Sequence, residues 1–313
     1  MLPMSATAPS LMLMASSAGR RRRQVVVGAG LVLLAIWPDA RLLAQTTLVT
    51  GLVAHWTFDE GAGSTIADTS GQGNNGTLVN GGSAWTTGYY GGALYFPGTT
   101  GLASTRVEIP NTLALQNAIT TAVTFAAWVR VDDINRDAPI LAKEGPAGLS
   151  YWFGAFGLGG ESSGPGNFGM LLDTGGGQPW SLLDRNQGSI TPSTWVHLAS
   201  TWNGTQVTHY LNGVMVAGGG SLTGPISTTT NLLAIGANAG YVTESNATAF
   251  LGSIDELYLY DRELTLSEIN QLMNGAAIPE PAAFVVLAGL GALGFAVRWR
   301  RPKIRLRGGA ARH

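Results

Sequence analysis

Val123 to Val131, VTFAAWVRV, alternates with period two. Val123, Phe125, Ala127, Val129 and Val131 fall on one face, Trp128 and Arg130 on the other. That pattern predicts a strand with one face in a core. Shorter runs repeat it. Leu52 to Phe58 sends Trp56 and Phe58 inward, and Leu78-Val79, Ala93 to Phe96, Arg106 to Ile109, Ile140 to Lys143 and Tyr151 to Phe156 follow. Phe168 to Asp173 and Ser181 to Asp184 pair across Gly175-Gly176-Gly177. Trp195 to Ala217 reads as a hairpin turning at Asn203-Gly204, with a second turn at Asn212-Gly213. Leu232 to Gly236 and Phe250 to Tyr260 complete the strands.

In the last strand, strict alternation puts Asp255, Leu257 and Leu259 on one face. Ile254, Glu256, Tyr258 and Tyr260 take the other. A carboxylate in line with leucines needs a cation, an Arg or several N–H donors, because burying it unpaired is costly. A helix follows. Thr265 at its N-cap and Glu268 three residues on form a capping box, and Leu264, Ile269 and Leu272 can pack back on the strands. The expected fold is an all-β antiparallel β-sandwich with a short C-terminal helix. About 230 residues suit one such domain.

The chain ends differ from its middle. Arg20 to Arg23 precede an apolar run from Val25 to Trp37, then Pro38 and Ala40 to Ala44, so residues 1–44 read as a signal peptide. Residues 45–278 form the domain. In 279–313, Pro279-Glu280-Pro281 leads into an apolar stretch, read as a transmembrane helix over 282–299, and a basic tail over 300–313. By the positive-inside rule the basic end stays cytoplasmic and the domain lies outside.

Charge and cysteine narrow the function. Between Gln45 and Ile278 there are 17 acids and 6 bases, a balance of −11. An acidic domain does not suit a phosphate backbone, which argues against nucleic acid. It suits cations, and it also simply keeps an exported protein soluble. With no cysteine, the fold is held by its core, with metal sites the only other staple.

Three ordered stretches carry a resemblance. Trp56 to Glu60, Asp68 to Leu78 and Gly88 to Phe96 open the domain. Trp195, His197, Ala199, Thr201, Trp202, Asn203, Gly204, Tyr210, Asn212 and Gly213 mark its hairpin. Gly252, Ile254, Asp255, Glu256, Tyr260, Arg262, Leu264, Thr265, Glu268 and Ile269 close it. Together they resemble laminin-G-like domains of the concanavalin A-like lectin/glucanase jelly-roll class, over roughly residues 50–275. The end of the chain resembles a PEP-CTERM sorting signal. That resemblance implies export across a bacterial inner membrane, recognition by an exosortase, and delivery to the cell surface or extracellular matrix. The other reading of this segment is a plain membrane anchor.

The candidate chemistry is mostly that of binding. Calcium takes several oxygen ligands, and the resemblance implies a site using Asp68 and Asp255. The alternative is structural: Asp68 caps the Ser70 and Gly71 amides, and Asp255 pairs with Arg262 or Arg106. Sugars stack on exposed aromatics. Trp85, Tyr89, Tyr90, Trp152, Trp180 and Tyr241 lie in or near Gly-rich stretches, and Trp180 and Tyr241 have the least strand-like surroundings. Laminarinase-type glucanases of this fold carry E-x-D-x-x-E on one strand. Here Ser253 and Tyr258 replace both glutamates, and alternation puts Glu256 opposite Asp255, so hydrolysis is not expected. His55, His197 and His209 lie within strands without a nucleophile motif, and read as packed residues. The expected function is non-catalytic: binding of a polysaccharide or a surface protein, with calcium as a candidate cofactor. A purely structural matrix component is the alternative.

Overall fold

The computed structural model describes residues 48–276, except 83, 157–165, 176–180, 184–189 and 242–247. The stretches read as signal peptide and sorting signal, including Pro279, Glu280 and Pro281, lie outside the described residues.

The strands in chain order are β1 (Leu52–Trp56), β2 (Thr65–Ile66), β3 (Gly76–Val79), β4 (Trp85–Thr87), β5 (Gly92–Pro97), β6 (Arg106–Ile109), β7 (Val123–Val131) and β8 (Ala138–Gly145). Then come β9 (Gly148–Phe156), β10 (Asn167–Leu172), β11 (Ser181–Leu183), β12 (Trp195–Trp202), β13 (Gln206–Leu211), β14 (Val214–Ser221), β15 (Leu233–Ile235) and β16 (Leu251–Tyr260). Among the described residues they form two eight-stranded sheets. The first runs β14-β13-β12-β7-β16-β5-β4, with β1 paired to β16; the second runs β11-β10-β9-β8-β15-β6-β3-β2. Every pairing is antiparallel. The opening strand therefore lies beside the closing one, as the ordered motifs imply.

The sandwich core lies between the sheets. The five residues of β7 expected inside, Val123, Phe125, Ala127, Val129 and Val131, are all in it, with Trp56, Phe96, Phe153, Phe168 and Trp202. Phe58 follows β1 at φ 58°, yet its ring is fully buried. Burial of such rings, each worth about 2 kcal/mol or more, is the main stabilising term of a fold without disulfides.

Helices interrupt the run of strands. α1 (Leu113–Ala118) has no counterpart in the sequence reading; Thr112 caps it by accepting from the Leu115 amide. α2 (Leu266–Met273) has the expected capping box, with Thr265 Oγ1 and Glu268 accepting each other's amides. Leu264, Ile269 and Leu272 pack on Ala126, Ala199, Tyr210, Tyr258 and Tyr260, on the outer face of the first sheet. Arg262 donates to both oxygens of Glu268, at 2.7 and 3.1 Å, and to the Thr50 carbonyl at 2.7 Å. Burial alone would raise the Glu268 pKa, but the Arg262 and Thr265 hydrogen bonds outweigh it and hold it below the ordinary range. Glu268→Ala removes both the box and this pair. It should cost about 2 kcal/mol, read as a lower urea midpoint.

The face assignment of β16 needs correction. Ile254 pairs with Val129 and Asp255 with Trp128, but the next partner of β7, Ala126, meets Tyr258. One residue is inserted, and Glu256 at φ 49° marks the bulge. Alternation resets there. Leu257 and Leu259 join Ile254 in the core. Asp255 goes to the outer face with Tyr258 and Tyr260, not with the leucines.

Candidate functional site

Asp68 organises the loop after β2. Its Oδ1 accepts from the amides of His55 (3.0 Å) and Ser70 (2.9 Å), and its Oδ2 from the Asn74 amide (2.8 Å). Asn74 in turn donates to the Val53 carbonyl at 2.8 Å and accepts from the Trp56 indole at 3.0 Å. The carboxylate thus closes a polar loop onto β1. Three amides leave little of it for a cation.

Asp255 is fully buried. Its Oδ2 accepts from the Tyr90 amide at 2.9 Å, while Oδ1 has no partner among the described residues. Burial drives its pKa up to about 8; the amides of Tyr90 and Tyr89 pull it back, and the charges of Glu256 and Asp59 add to the rise. Neither Arg106 nor Arg262 serves it: they pair with Glu108 and Glu268. Among the described residues, no group of three or more His, Cys, Asp or Glu side chains is placed to hold a metal ion.

The bulge also turns Glu256. Its carboxylate meets His55 Nε2 at 2.7 Å and accepts from the Tyr258 hydroxyl at 2.6 Å. His55 stacks on Tyr258 with ring centroids 4.0 Å apart. Glu256 thus shares the side of Asp255 and acts on it, contrary to the opposite faces expected from strict alternation. What still separates this strand from the glucanase pattern is Ser253 and Tyr258 at the two glutamate positions.

The outer face of the first sheet divides into two halves. α2 covers the half around Tyr210, Ala199, Ala126 and Tyr258. On the other half, register brings side chains into rows, because directly opposed residues share a face. One row is Tyr95, Ser253, Arg130 and Trp195, across β5, β16, β7 and β12. Tyr95, Arg130 and Trp195 are half-buried. Arg130 reaches Asp132 at 3.3 Å and keeps a side chain 39% exposed. The next row is Asp255, Trp128 and His197. Tyr89, from the turn between β4 and β5, lies flat on Trp128, centroids 3.4 Å apart, and is 46% exposed. Tyr90 anchors that turn, donating its hydroxyl to the Met273 carbonyl at 3.0 Å. Gly88 has no room for a side chain, since a Cβ would meet the Gly92 carbonyl and Asp255 Oδ2.

This row of Tyr95, Arg130 and Trp195 was not singled out from the sequence. The available signal was Trp128 and Arg130 facing away from the core on β7. Of the residues that were singled out, Trp180 and the side chain of Tyr241 lie outside the described residues. Trp85 is half-buried and lines a cleft of about 590 Å³ with Gly61 to Ser64, Leu78, Gly81 and Gly82. His209 is buried in the interior, 2.7 Å from Ser200 Oγ, and His197 is buried on the opposite side of the sheet.

A profile of the concanavalin A-like lectin/glucanases superfamily matches residues 100–270. A PEP-CTERM protein-sorting motif matches residues 277–301. No curated protein matches the chain. Among solved structures, domain 4 of AbnA, a GH43 extracellular arabinanase from Geobacillus stearothermophilus in complex with arabinotriose, aligns at 21% identity and TM-score 0.51. That match covers 71% of this chain and 98% of the other. A botulinum neurotoxin type C structure, described by its interaction with two ganglioside molecules, aligns at 13% identity and TM-score 0.52 over 74% of this chain and 53% of the other. The binding domain of Paraclostridial Mosquitocidal Protein 1 aligns at 14% and 0.50, over 73% and 53%. At these identities the likeness is one of fold.

Proposed function

We propose that this chain, which belongs to the concanavalin A-like lectin/glucanases superfamily, is an exported, non-catalytic binding protein that takes carbohydrate on the open half of its first sheet. The row of Tyr95, Ser253, Arg130 and Trp195 carries this reading. It sets two aromatic faces on either side of a cation and a hydroxyl, on a rigid central part of the sheet. Trp, Tyr and Arg are the side chains that most often dominate binding energy at protein interfaces, and aromatic faces are also what sugar rings stack on. Two fold neighbours carry sugar ligands, arabinotriose and ganglioside, and another is a binding domain in complex with rat synaptotagmin II, so the choice of sugar over protein rests on the row itself. Fold alone would not decide it, since one fold hosts many functions. The PEP-CTERM motif supports handling by an exosortase and delivery to the cell surface or matrix.

The test is retention of the purified protein on immobilised arabinan, xylan, laminarin and ganglioside oligosaccharides, with calcium and with EDTA. Selective binding is expected, reduced roughly tenfold or more by Arg130→Ala or Trp195→Ala. Reducing ends should not accumulate. Equal binding in EDTA is expected, given the amide-filled carboxylate of Asp68. Loss in EDTA would restore calcium to the site. Trp85→Ala distinguishes the cleft beside β4: if that variant alone loses binding, the cleft is the site. No binding by a folded protein would favour the structural matrix role.

A further inference from the structure

Four buried polar atoms of one row have no hydrogen-bond partner among the described residues: Asp255 Oδ1, Trp128 Nε1, and both ring nitrogens of His197. They belong to one row of directly opposed residues on β16, β7 and β12. Buried polar groups are normally satisfied, and leaving one unpaired is costly. Finding four in one row, beside the proposed sugar-binding strip, is hard to account for by packing. Their chemistry is mixed. The Asp255 carboxyl, neutral below about pH 8, donates and accepts, an indole N–H only donates, and a neutral imidazole does one of each. Burial holds His197 neutral, lowering its pKa to about 3. An anion, which only accepts, would leave the unprotonated imidazole nitrogen unserved, and a cation would find no use for the indole. Hydroxyl groups, which donate and accept, match all three.

We propose that Asp255, Trp128 and His197 form a second saccharide subsite, reached when the Tyr89 ring swings off Trp128 and a sugar ring takes its place. This rests on the carbohydrate-binding reading above and specifies which hydroxyls are recognised. Three neighbouring strands span about 10 Å, roughly one to two sugar rings. Tyr89 is the movable part: it lies flat on Trp128 yet is 46% exposed, whereas the three residues beneath are almost wholly buried. The subsite is closed until filled, so Tyr89 and the ligand compete for one indole face. Competition lowers the apparent affinity by the fraction of time the ring is open.

The experiment uses the full chain with arabinotriose, xylotriose, laminaritriose and sialyllactose, measuring affinity and melting temperature. Trp128→Phe keeps a ring but removes the N–H. It should weaken binding roughly tenfold, the worth of one buried hydrogen bond. His197→Leu should also weaken binding yet raise the melting temperature, because two unpaired polar atoms are replaced by an apolar side chain of similar size. Tyr89→Ala should tighten binding, by roughly two- to tenfold, the scale of one aromatic contact. Native-like affinity in Trp128→Phe and His197→Leu, with native binding intact, overturns the subsite and leaves the Tyr95–Arg130–Trp195 strip standing. A lower melting temperature in His197→Leu overturns it too, since His197 would then be satisfied within the fold. Weaker binding in Tyr89→Ala overturns the gate. No sugar bound by the native chain overturns both the strip and the subsite.

Discussion

Gly252→Ala should lower the stability of this domain by ~4 kcal/mol, a drop in melting temperature on the order of 10 °C for its size. Gly252 has φ 143°, a backbone conformation that is nearly glycine-only. It stands in the middle of the first sheet, opposite Phe96 on β5 and Val131 on β7. A Cβ there would run into the Arg130 carbonyl oxygen, and would approach the Phe250 ring at 3.1 Å. Backbone strain contributes about 1–3 kcal/mol and overpacking a similar amount. Since domains are stable by only about 5–15 kcal/mol, that is a large share. The obstacle is a carbonyl in a hydrogen-bonded ladder, so it cannot rotate away as a side chain would. Relaxation must move β7 itself, and Arg130 with it. The variant should therefore lose sugar binding along with stability. Gly82→Ala is the control: its Cβ meets nothing within 4 Å, so stability should be unchanged or slightly higher. A Gly252→Ala protein with a native melting curve would show that the sheet absorbs the side chain without strain.

The features legible in the sequence are those decided locally. The alternation of β7 depends only on its own nine residues, and all five inward side chains are in the core. The Asn203-Gly204 turn and the Thr265/Glu268 box are set within a few residues, and both are present. The bulge is not local. Nothing near Glu256 announces a left-handed Glu; what accompanies it are His55, some 200 positions away, and Tyr258. Missing it inverted the face of Asp255. The candidate strip was illegible for a related reason. Tyr95, Arg130, Trp195 and Ser253 come from four strands, and only their register aligns them. Composition around Gly-rich loops pointed to isolated aromatics, whereas the structure gathers aromatics on the sheet itself. Asp68 shows the converse. Its loop was legible as a turn, and its carboxylate caps that turn.

Between pH 6.5 and 8 the domain should lose stability as pH rises, by roughly 2 kcal/mol in all. Asp255 supplies the slope. Its pKa is raised from 3.8 to about 8 in the fold, so between those values the native state holds a proton the unfolded chain has released. Where the native state binds more protons, stability falls with pH, by about 1.4 kcal/mol per unit for one group. Three other groups define the clean window. His197, lowered from 6.5 to about 3, is neutral in the fold while the unfolded chain takes up a proton, so it contributes the opposite slope below pH 6.5 and cancels Asp255 there. Glu144, raised from 4.5 to about 6 by burial against the Asn238 hydrogen bond, adds to the fall only up to about 6. Lys143, lowered by burial from 10.5 to about 8, makes stability rise again above 8. Urea midpoints across pH 5 to 10 should thus show a decline centred near pH 7 and a minimum near 8 to 9. Asp255→Asn should flatten the decline. His197→Leu should extend it downward to about pH 4, because the cancelling proton is gone. If the midpoint is level from pH 6.5 to 8 in the native chain, Asp255 is ionised within the fold, and its Oδ1 must find a donor that the row of Trp128 and His197 can reach.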